Sequence, residues 1–341
     1  MAAKRKICFT GPMRVTVAED ILRAAGCELV LGKPQDDFRN FRYERKELVN
    51  LVGDCPIIYP SGRDMIGADI LDSCPNLQAV VKSSIGIETV DVDAATDLGI
   101  LCCNSPTPEN YLGVAEATVG FMVALFKRLK LNEDFIRQGG WKELHNRGTL
   151  MLGRTVGIIG VGRIGKNIAQ RLGGWGMNLL GYDPYVKQES VASLGIKMVS
   201  LDELLKASDL VTLHVVLTKE TRGMIGMREL KLMKPTAFII NTSRGPAIKE
   251  GELVQALNQK IIAGAALDVF ENEPMPANTA LRQVDPLKLI LTPHNIGANP
   301  GSGEAGQKMA AQSMLSILDG KVPDTVVNPD AIPLWKERFW S

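Results

Sequence analysis

The sequence predicts an α/β protein with two doubly wound domains, each built around a parallel sheet. Short apolar, β-rich runs alternate with amphipathic helical segments along the 341 residues, which is the pattern of parallel sheets covered by helices. The alternation occurs twice, with a long helical run over 114–129 between the two sets. The length is sufficient for two domains of ordinary size, each with its own core.

The predicted strands form a set of five followed by a set of six. Helical segments separate them, and the clearest spans residues 17–25 and stops before Gly26. The second set consists of continuous apolar runs, as expected for strands buried on both faces. In order, the predicted strands are Lys6 to Phe9, Glu28 to Leu31, Pro56 to Tyr59, Leu77 to Val81, Ile100 to Cys103, Arg154 to Ile159, Asn178 to Tyr182, Leu210 to Val215, Ala237 to Asn241, Ala263 to Val269 and Leu287 to Leu291.

One more helical stretch, Gly303 to Leu318, follows the last predicted strand and precedes a proline-rich tail. A complete six-stranded sheet offers it no obvious place, so we expect this helix to return to the first domain. The second domain is then an insertion. We expect residues 1–108 and 300–341 to form one domain and residues 109–299 to form the other.

Composition excludes several classes of function. Apolar residues make up 45%, charged residues 23%, and the formal net charge is +1, which indicates a globular chain without the basic stripe that nucleic-acid binding needs. No segment is long and apolar enough to span a bilayer, and the apolar run after the basic start is broken before it could act as a signal peptide. We expect a cytoplasmic protein that binds neither nucleic acid nor membrane.

All six cysteines lie in the first third of the chain. They form no CxxC pair and have no histidine nearby to complete a zinc site. We interpret them as small buried apolar residues kept reduced in the cytosol, and we expect no metal. The six are Cys8, Cys27, Cys55, Cys74, Cys102 and Cys103.

A glycine-rich loop is the strongest local signal. Gly160, Gly162 and Gly165 form GxGxxG directly after a predicted strand and at the start of a helix over 163–172. They permit the tight turn, the approach of a pyrophosphate and close packing of helix on strand. Asp183, at the end of the next strand, can accept the ribose hydroxyls of NAD and opposes a 2′-phosphate. This combination predicts a Rossmann domain that prefers NAD to NADP.

The chain has only three histidines, so few groups can exchange protons near neutral pH. His145 lies in a polar segment and is expected in solvent, and His214 ends a strand and is expected to be neutral. His294 follows a buried strand, at the edge where ligands of such sheets bind. Arg244 follows a neighbouring strand and offers a fork for a carboxylate, and the acids of the segment Leu267 to Pro274, which follows another strand, offer a partner for an imidazole.

These motifs resemble those of the D-isomer-specific 2-hydroxyacid dehydrogenases, which include phosphoglycerate dehydrogenases and glyoxylate or hydroxypyruvate reductases. The resemblance is closest from Val80 to Leu318 and rests on N-x-S-R-G, D-V-F-E-x-E-P and T-P-H-x-x-G. It implies that Arg244, Glu273 and His294 are catalytic. It also implies a homodimer, with the Rossmann domain inserted in a flavodoxin-like substrate domain.

The resemblance further implies contacts with substrate and cofactor. Ser84, Ile85 and Gly86 are expected to hold the substrate carboxylate together with Arg244, and Asp268 the nicotinamide carboxamide. The chain departs from the family at Val216, usually proline, and at Asn295, usually isoleucine. The expected cofactor-binding residues are Gly160, Gly162, Arg163, Ile164, Gly165, Asp183, His214, Thr218, Thr242, Asp268 and Gly297.

Arg63 matches a position near the far end of the substrate in some relatives, but an ordinary solvated arginine is the reading that we expect here.

The sequence thus predicts hydride transfer between NAD(H) and C2 of a small D-2-hydroxy or 2-keto acid held in the cleft between the domains. His294 would be the acid/base and Glu273 its partner. Two alternatives stay open. One is a formate- or phosphite-type dehydrogenase, although Glu273 counts against formate. The other is an NAD-sensing scaffold similar to the C-terminal-binding-protein corepressors, against which the short tail counts mildly.

Overall fold

The computed structural model describes residues 5–12, 16–34 and 41–340. Within them the strands are β1 (Lys6–Phe9), β2 (Glu28–Leu31), β3 (Ile57–Tyr59), β4 (Ala79–Val81), β5 (Leu101–Cys103), β6 (Thr155–Ile159), β7 (Asn178–Tyr182), β8 (Ile196–Met198), β9 (Leu210–Leu213), β10 (Phe238–Asn241), β11 (Gly264–Leu267) and β12 (Leu289–Leu291). The α-helices are α1 (Val17–Ala24), α2 (Arg45–Val52), α3 (Ala68–Asp72), α4 (Val92–Asp97), α5 (Pro108–Phe126), α6 (Leu129–Arg137), α7 (Arg163–Leu172), α8 (Leu201–Ala207), α9 (Met227–Leu232), α10 (Glu250–Asn258), α11 (Pro300–Leu318) and α12 (Ile332–Trp340).

The strands form two parallel sheets. The first has five strands in the order β2-β1-β3-β4-β5, and the second has seven in the order β12-β11-β10-β9-β6-β7-β8. Parallel neighbours need crossover connections, which place helices on the sheet faces. Central strands such as β9 and β11 are buried along their whole length. The predicted α/β fold with two parallel-sheet domains is confirmed.

The chain divides into two compact units. Met1–Asn110 and Asn299–Ser341 form the first unit, and Tyr111–Ala298 form the second. The second unit is therefore an insertion in the first. In the first unit, Ala310, Met314 and Ile317 of α11 belong to the same apolar core as Ile7 of β1 and Val81 of β4.

Three elements differ from the prediction. The second sheet has a seventh strand, β8, which is only three residues long and lies at the sheet edge with an exposed lysine in its middle. The proline-rich tail contains α12, whose Trp335 is fully buried. The long helical run is divided in two, because Arg128 adopts a left-handed backbone with φ 51° between α5 and α6.

All six cysteines are buried and unpaired, as predicted. Burial raises the pKa of Cys55 to about 11 and that of Cys102 to about 12, so these thiols stay protonated near neutral pH. In the described part of the chain, no helix has both the length and the apolar character that a membrane crossing requires. His, Cys, Asp and Glu side chains within those same ranges form no group suited to a metal ion.

The order of the second sheet determines which loops become neighbours. β10, β11 and β12 are adjacent, and their last residues pair as Asn241 with Leu267 and Leu267 with Leu291. On the other side of β10, β9 pairs with β6, which leads into the glycine-rich loop. Because all these strands are parallel, the segments that follow them meet at one edge of the sheet.

Candidate active site

The segments after β11 and β12 bring His294 and Glu273 into direct contact. His294 Nδ1 and Glu273 Oε2 are 2.6 Å apart, although 21 positions separate the two residues in the sequence. The second carboxylate oxygen of Glu273 accepts a hydrogen bond from the Phe270 N–H at 2.9 Å. The carboxylate is thus fixed to its own loop on one side and to the imidazole on the other.

This contact changes the proton affinity of both groups. The hydrogen bond with Glu273, together with its charge, raises the pKa of His294 above the ordinary value, and burial and the Arg244 charge oppose this effect. Burial alone would raise the pKa of Glu273, but the bond and charge of His294 outweigh it, so that pKa lies below the ordinary range. The pair therefore favours an imidazolium beside a carboxylate.

Asp268, at the end of β11, holds the loop that carries His294. One of its oxygens accepts hydrogen bonds from Thr292 Oγ1 at 2.5 Å and from the Asn295 N–H at 3.1 Å. The Ile296 N–H adds contacts of 3.3 Å to both oxygens. His294 has a φ of 51°, in the left-handed region that most side chains avoid. Asp268 thus anchors both sides of a strained residue.

Arg244 follows β10 and lies close enough to Glu273 and His294 for its charge to lower the pKa of each. Its guanidinium donates to the Ser243 carbonyl at 2.7 Å, and its own carbonyl accepts from Asn241 Nδ2 at 2.9 Å. The structure therefore brings the three predicted catalytic residues together at one sheet edge.

Gly245 shows how tightly the loops after β10 and β11 pack. A Cβ placed on this glycine would lie 1.9 Å from both the carbonyl carbon and the carbonyl oxygen of Phe270. Only a residue without a side chain permits that approach. The segment that carries Arg244 thus rests directly on the backbone of the segment that carries Glu273.

The glycine-rich loop has the geometry of an anion cradle. Gly160 has a φ of 88°, and a Cβ there would lie 2.6 Å from the His214 carbonyl oxygen. A Cβ on Gly165 would lie 2.4 Å from the Gly160 carbonyl oxygen, whereas one on Gly162 would meet nothing within 4 Å. Gly162 caps α7, which Arg163 and Ile164 begin, so the first N–H groups of that helix face open space.

Asp183 lies beside this loop. Its Oδ2 accepts a hydrogen bond from the Val161 N–H at 3.0 Å, and its Oδ1 accepts one from the Tyr185 N–H at 2.9 Å. The carboxylate is therefore placed at the end of β7 next to the glycine turn, where the sequence predicted an acid.

The other expected cofactor residues surround the same edge. His214 follows β9, its Nε2 lies 2.8 Å from Thr212 Oγ1, and its buried Nδ1 has no partner among the described residues. Burial lowers the pKa of His214 to about 3, so this imidazole is neutral, as predicted. Thr218 lies in an exposed turn, where its Oγ1 accepts the Glu220 N–H at 3.2 Å.

Two further members of the expected set pack against α5. Thr242 is buried, and its Oγ1 lies 3.0 Å from Thr118 Oγ1. A Cβ on Gly297 would lie 2.4 Å from Val114 Cγ2. Thr118 did not emerge from the sequence because nothing in its local pattern distinguishes it from the other helical positions. Thr292, the first residue of T-P-H-x-x-G, was quoted only as part of that motif, and its bond to Asp268 was not predicted.

The predicted carboxylate-binding loop belongs to the other unit, and it is held by its carbonyl groups. The Ser105 N–H donates to Ser84 O at 3.0 Å, Asn104 Nδ2 donates to Ile85 O at 2.9 Å, and Ser84 Oγ donates to Gly86 O at 3.0 Å. Within the described ranges the N–H groups of Ile85 and Gly86 have no acceptor. A loop with this arrangement offers donors to an anion.

The expectation for Arg63 is wrong, whereas that for His145 is confirmed. The Arg63 side chain is not solvated, because the residue is only 2% exposed. Its guanidinium donates to the carbonyls of Lys33 at 2.7 Å and Pro34 at 3.0 Å, and its Nε lies 3.7 Å from the buried Asp64 carboxylate. The His145 side chain is 71% exposed.

Comparison with known proteins gives the family. A family model described as the NAD binding domain of D-isomer specific 2-hydroxyacid dehydrogenase matches residues 119–295. The glyoxylate reductase of Thermococcus gammatolerans is 38% identical over 306 residues, which cover 86% of this chain and 89% of that protein. The chain therefore belongs to the D-isomer specific 2-hydroxyacid dehydrogenases.

Two further comparisons extend this similarity. The D-3-phosphoglycerate dehydrogenase of Methanocaldococcus jannaschii is 34% identical over 290 residues, and the match covers 85% of this dehydrogenase but only 55% of that relative. A crystal structure of a glyoxylate reductase from Paecilomyes thermophila superimposes with a TM-score of 0.83 at 26% identity, and it covers 95% of this chain and 98% of that one.

This 2-hydroxyacid dehydrogenase is an NAD-dependent oxidoreductase, and its glycine loop fits the dinucleotide. A Cβ on Gly162 would meet nothing within 4 Å, Gly160 has a positive φ, and the buried Nδ1 of His214 has no partner among the described residues. Asp183 adds a carboxylate at the same place. These are the features that a pyrophosphate and an unphosphorylated ribose require.

Proposed function

We propose that the protein reduces a short 2-keto acid of the glyoxylate or hydroxypyruvate type to the D-2-hydroxy acid, with NADH as the preferred cofactor. The observation that carries this proposal is the 2.6 Å contact between His294 and Glu273, with Arg244 close to both, at the carboxyl edge of an NAD-binding sheet. Several relatives are named glyoxylate reductase, which supports the choice of substrate.

The chemistry needs a proton and a site for negative charge from the protein. NADH supplies a hydride to the keto carbon when it is bound. His294 donates a proton to the carbonyl oxygen from Nε2, because Nδ1 is occupied by Glu273. Glu273 keeps the imidazole charged and fixes its plane. Arg244 binds the substrate carboxylate and polarises the carbonyl. In the reverse direction neutral His294 accepts the proton.

We propose that the remaining predicted residues bind the two ligands. The N–H groups of Ile85 and Gly86 would donate hydrogen bonds to the substrate carboxylate, on a loop held in shape by Ser84. The glycine-rich loop and the start of α7 would hold the pyrophosphate through Gly160, Gly162, Arg163, Ile164 and Gly165. Asp183 would accept hydrogen bonds from the ribose hydroxyls. Asp268 would bind the nicotinamide carboxamide. His214, Thr218, Thr242 and Gly297 would line the cofactor.

We also propose a homodimer in the cytosol. Family resemblance supports the dimer, and so does a group of large apolar side chains exposed on α6 and the segment before β6, with Trp141 71% and Leu144 72% exposed. Six buried, unpaired cysteines support a reducing compartment. The apolar surface, as we define it, consists of Leu129, Ile136, Trp141, Leu144, Leu150 and Leu152.

A substrate panel tests the function. NADH consumption is followed by absorbance with glyoxylate, hydroxypyruvate and pyruvate, and NADH formation from NAD is followed in the same way with formate and phosphite. We expect turnover with the short keto acids, D-glycerate as the product from hydroxypyruvate, and loss of most activity in His294→Gln. Turnover with phosphite or formate alone, L-glycerate as product, or an unaffected His294→Gln variant would each contradict the proposal.

A further inference from the structure

A second carboxylate, that of Glu250, is hydrogen-bonded to the loop that carries Glu273. Glu250 is the first residue of α10, and its half-buried side chain accepts a hydrogen bond from the Glu271 N–H. In return Glu271 Oε1 accepts the Glu250 N–H at 3.0 Å. The two glutamates thus join the start of α10 to the loop after β11 through a reciprocal pair of hydrogen bonds.

This pair acts on the part of the loop that carries Glu273. The carboxylates of Glu273 and Glu250 bind consecutive N–H groups of one chain, those of Phe270 and Glu271. Consecutive backbone nitrogens are less than about 4 Å apart, so the two carboxylates lie close to each other. The start of α10, where the helix dipole is positive, favours negative charge at this point.

We propose that Glu250 is a positioning residue for the reaction, which fixes the Glu273 loop and places a second negative charge behind the Glu273–His294 pair. The proposal rests on the acid/base role of His294. A carboxylate stabilises a nearby imidazolium through space, so Glu250 would act on His294 without touching it.

Other charged groups act on Glu250 and on His294. Burial raises the pKa of Glu250, and the negative charges of Glu271 and Glu273 raise it further, because like charges repel. The charges with the largest effect on the pKa of His294 are those of Glu273, Asp268 and Arg244, and the Glu250 charge would act in addition to them. Lys249, the neighbour of Glu250 on the chain, pairs instead with Glu252 at 3.4 Å.

The test is a direct titration of His294. The chain has only three histidines, so ¹⁵N-labelled imidazoles can be followed by NMR and assigned with His145→Gln and His294→Gln. Glu250→Gln keeps an oxygen that can accept the Glu271 N–H but removes the charge. We expect the His294 pKa to fall by about half a pH unit in this variant, and the alkaline limb of kcat/KM for keto-acid reduction to move to lower pH by the same amount.

Glu252→Gln is the matched control, because Glu252 is an acid on the same helix that binds Lys249 and the Met227 N–H instead of the Glu271 loop. It should leave the His294 titration unchanged. Glu250→Ala, which also loses the hydrogen bond, should lower kcat/KM several-fold more than Glu250→Gln. If Glu250→Gln fails to fold, Glu271→Gln removes the paired charge and should shift the titration in the same direction.

The outcomes separate this proposal from the proposed function. An unchanged His294 titration in Glu250→Gln, or an equal shift in Glu252→Gln, overturns the role of Glu250. A lowered His294 pKa with an unmoved kinetic limb supports Glu250 and instead contradicts the acid/base role of His294.

Discussion

His294 combines an unfavourable backbone with a favourable charge environment. Its left-handed φ of 51° costs on the order of 1 kcal/mol or more, and the hydrogen bonds of Asp268 to Thr292, Asn295 and Ile296 hold the loop in that shape. This backbone conformation places the imidazole so that its Nδ1 forms a hydrogen bond with Glu273. At the scale of single residues, the site therefore depends on contacts between neighbouring strand ends.

The sequence predicted which residues meet, but only part of how they are held. Arg244 and His294 could be named because each follows a strand of one parallel sheet, and Glu273 was chosen among the acids after β11 through the family resemblance. The burial of Arg63 could not, because its partners are backbone carbonyls about thirty positions away. The bonds of Asp268 to the Asn295 and Ile296 N–H groups were hidden for the same reason, since main-chain acceptors and donors leave no trace in side-chain identity.

Replacing Arg244 by lysine should impair catalysis strongly. Lysine offers a point charge where a planar fork is needed for a carboxylate, and loss of such a contact removes about 2 to 4 kcal/mol of transition-state stabilisation. The measurement is kcat/KM for glyoxylate, with circular dichroism to verify folding. Kinetics equal to wild type would remove Arg244 from the site.

Asp183 should determine the choice of cofactor. Its carboxylate lies at the glycine turn, where it would repel a 2′-phosphate, and no arginine directly follows it in the sequence. We expect higher kcat/KM with NADH than with NADPH, and a smaller ratio in Asp183→Ser. If the wild type turned over NADPH as well as or better than NADH at matched concentration, this role of Asp183 would be contradicted.

At the scale of elements, the central strands could be predicted from the sequence because strands of a parallel sheet are buried on both faces. β9 and β11 are fully buried and read as continuous apolar runs. β8 was not predicted, because a three-residue edge strand with an exposed central residue has no distinctive pattern of apolar and polar residues. α12 was not predicted, because the prolines near its start are typical of a loop. Pro333 in fact lies in the first turn of this helix, where proline is tolerated.

Gly245 tests the packing of the loops after β10 and β11. Gly245→Ala would place a Cβ 1.9 Å from the Phe270 backbone, so the Glu273 loop must move. We expect a loss of about 1 to 3 kcal/mol in the free energy of unfolding and a reduced kcat/KM. Gly251→Ala in α10 is the matched control, since its Cβ meets nothing within 4 Å and a helical alanine should stabilise slightly. Equal effects of the two substitutions would refute the packing argument.

At the scale of the molecule, the near-neutral charge of +1 and the exposed apolar surface on α6 and the segment before β6 favour self-association over binding to polyanions. The insertion of one unit in the other was predictable because Gly303 to Leu318 read as a helix with no place in the second sheet. The dimer itself had no signal in the sequence beyond the family resemblance.

The apolar surface should therefore mediate the homodimer. We expect the wild type to sediment as a dimer in analytical ultracentrifugation, and the double variant Leu150→Lys and Leu152→Lys, at side chains that are 65% and 63% exposed, to shift toward monomer. Leu287→Lys, at an exposed leucine outside this surface, should leave the dimer intact. A monomeric wild type, or a double variant that stays dimeric, would argue against this surface.

The central claim is that Glu273 keeps His294 charged for proton donation. The most direct test is the pair of pH profiles of kcat/KM for keto-acid reduction in wild type and Glu273→Gln. Because the carboxylate raises the His294 pKa, its removal should lower that pKa and move the alkaline limb to lower pH, while the reverse oxidation, which needs neutral imidazole, stays active at lower pH than before. A limb that does not move, or that moves to higher pH, would contradict the claim.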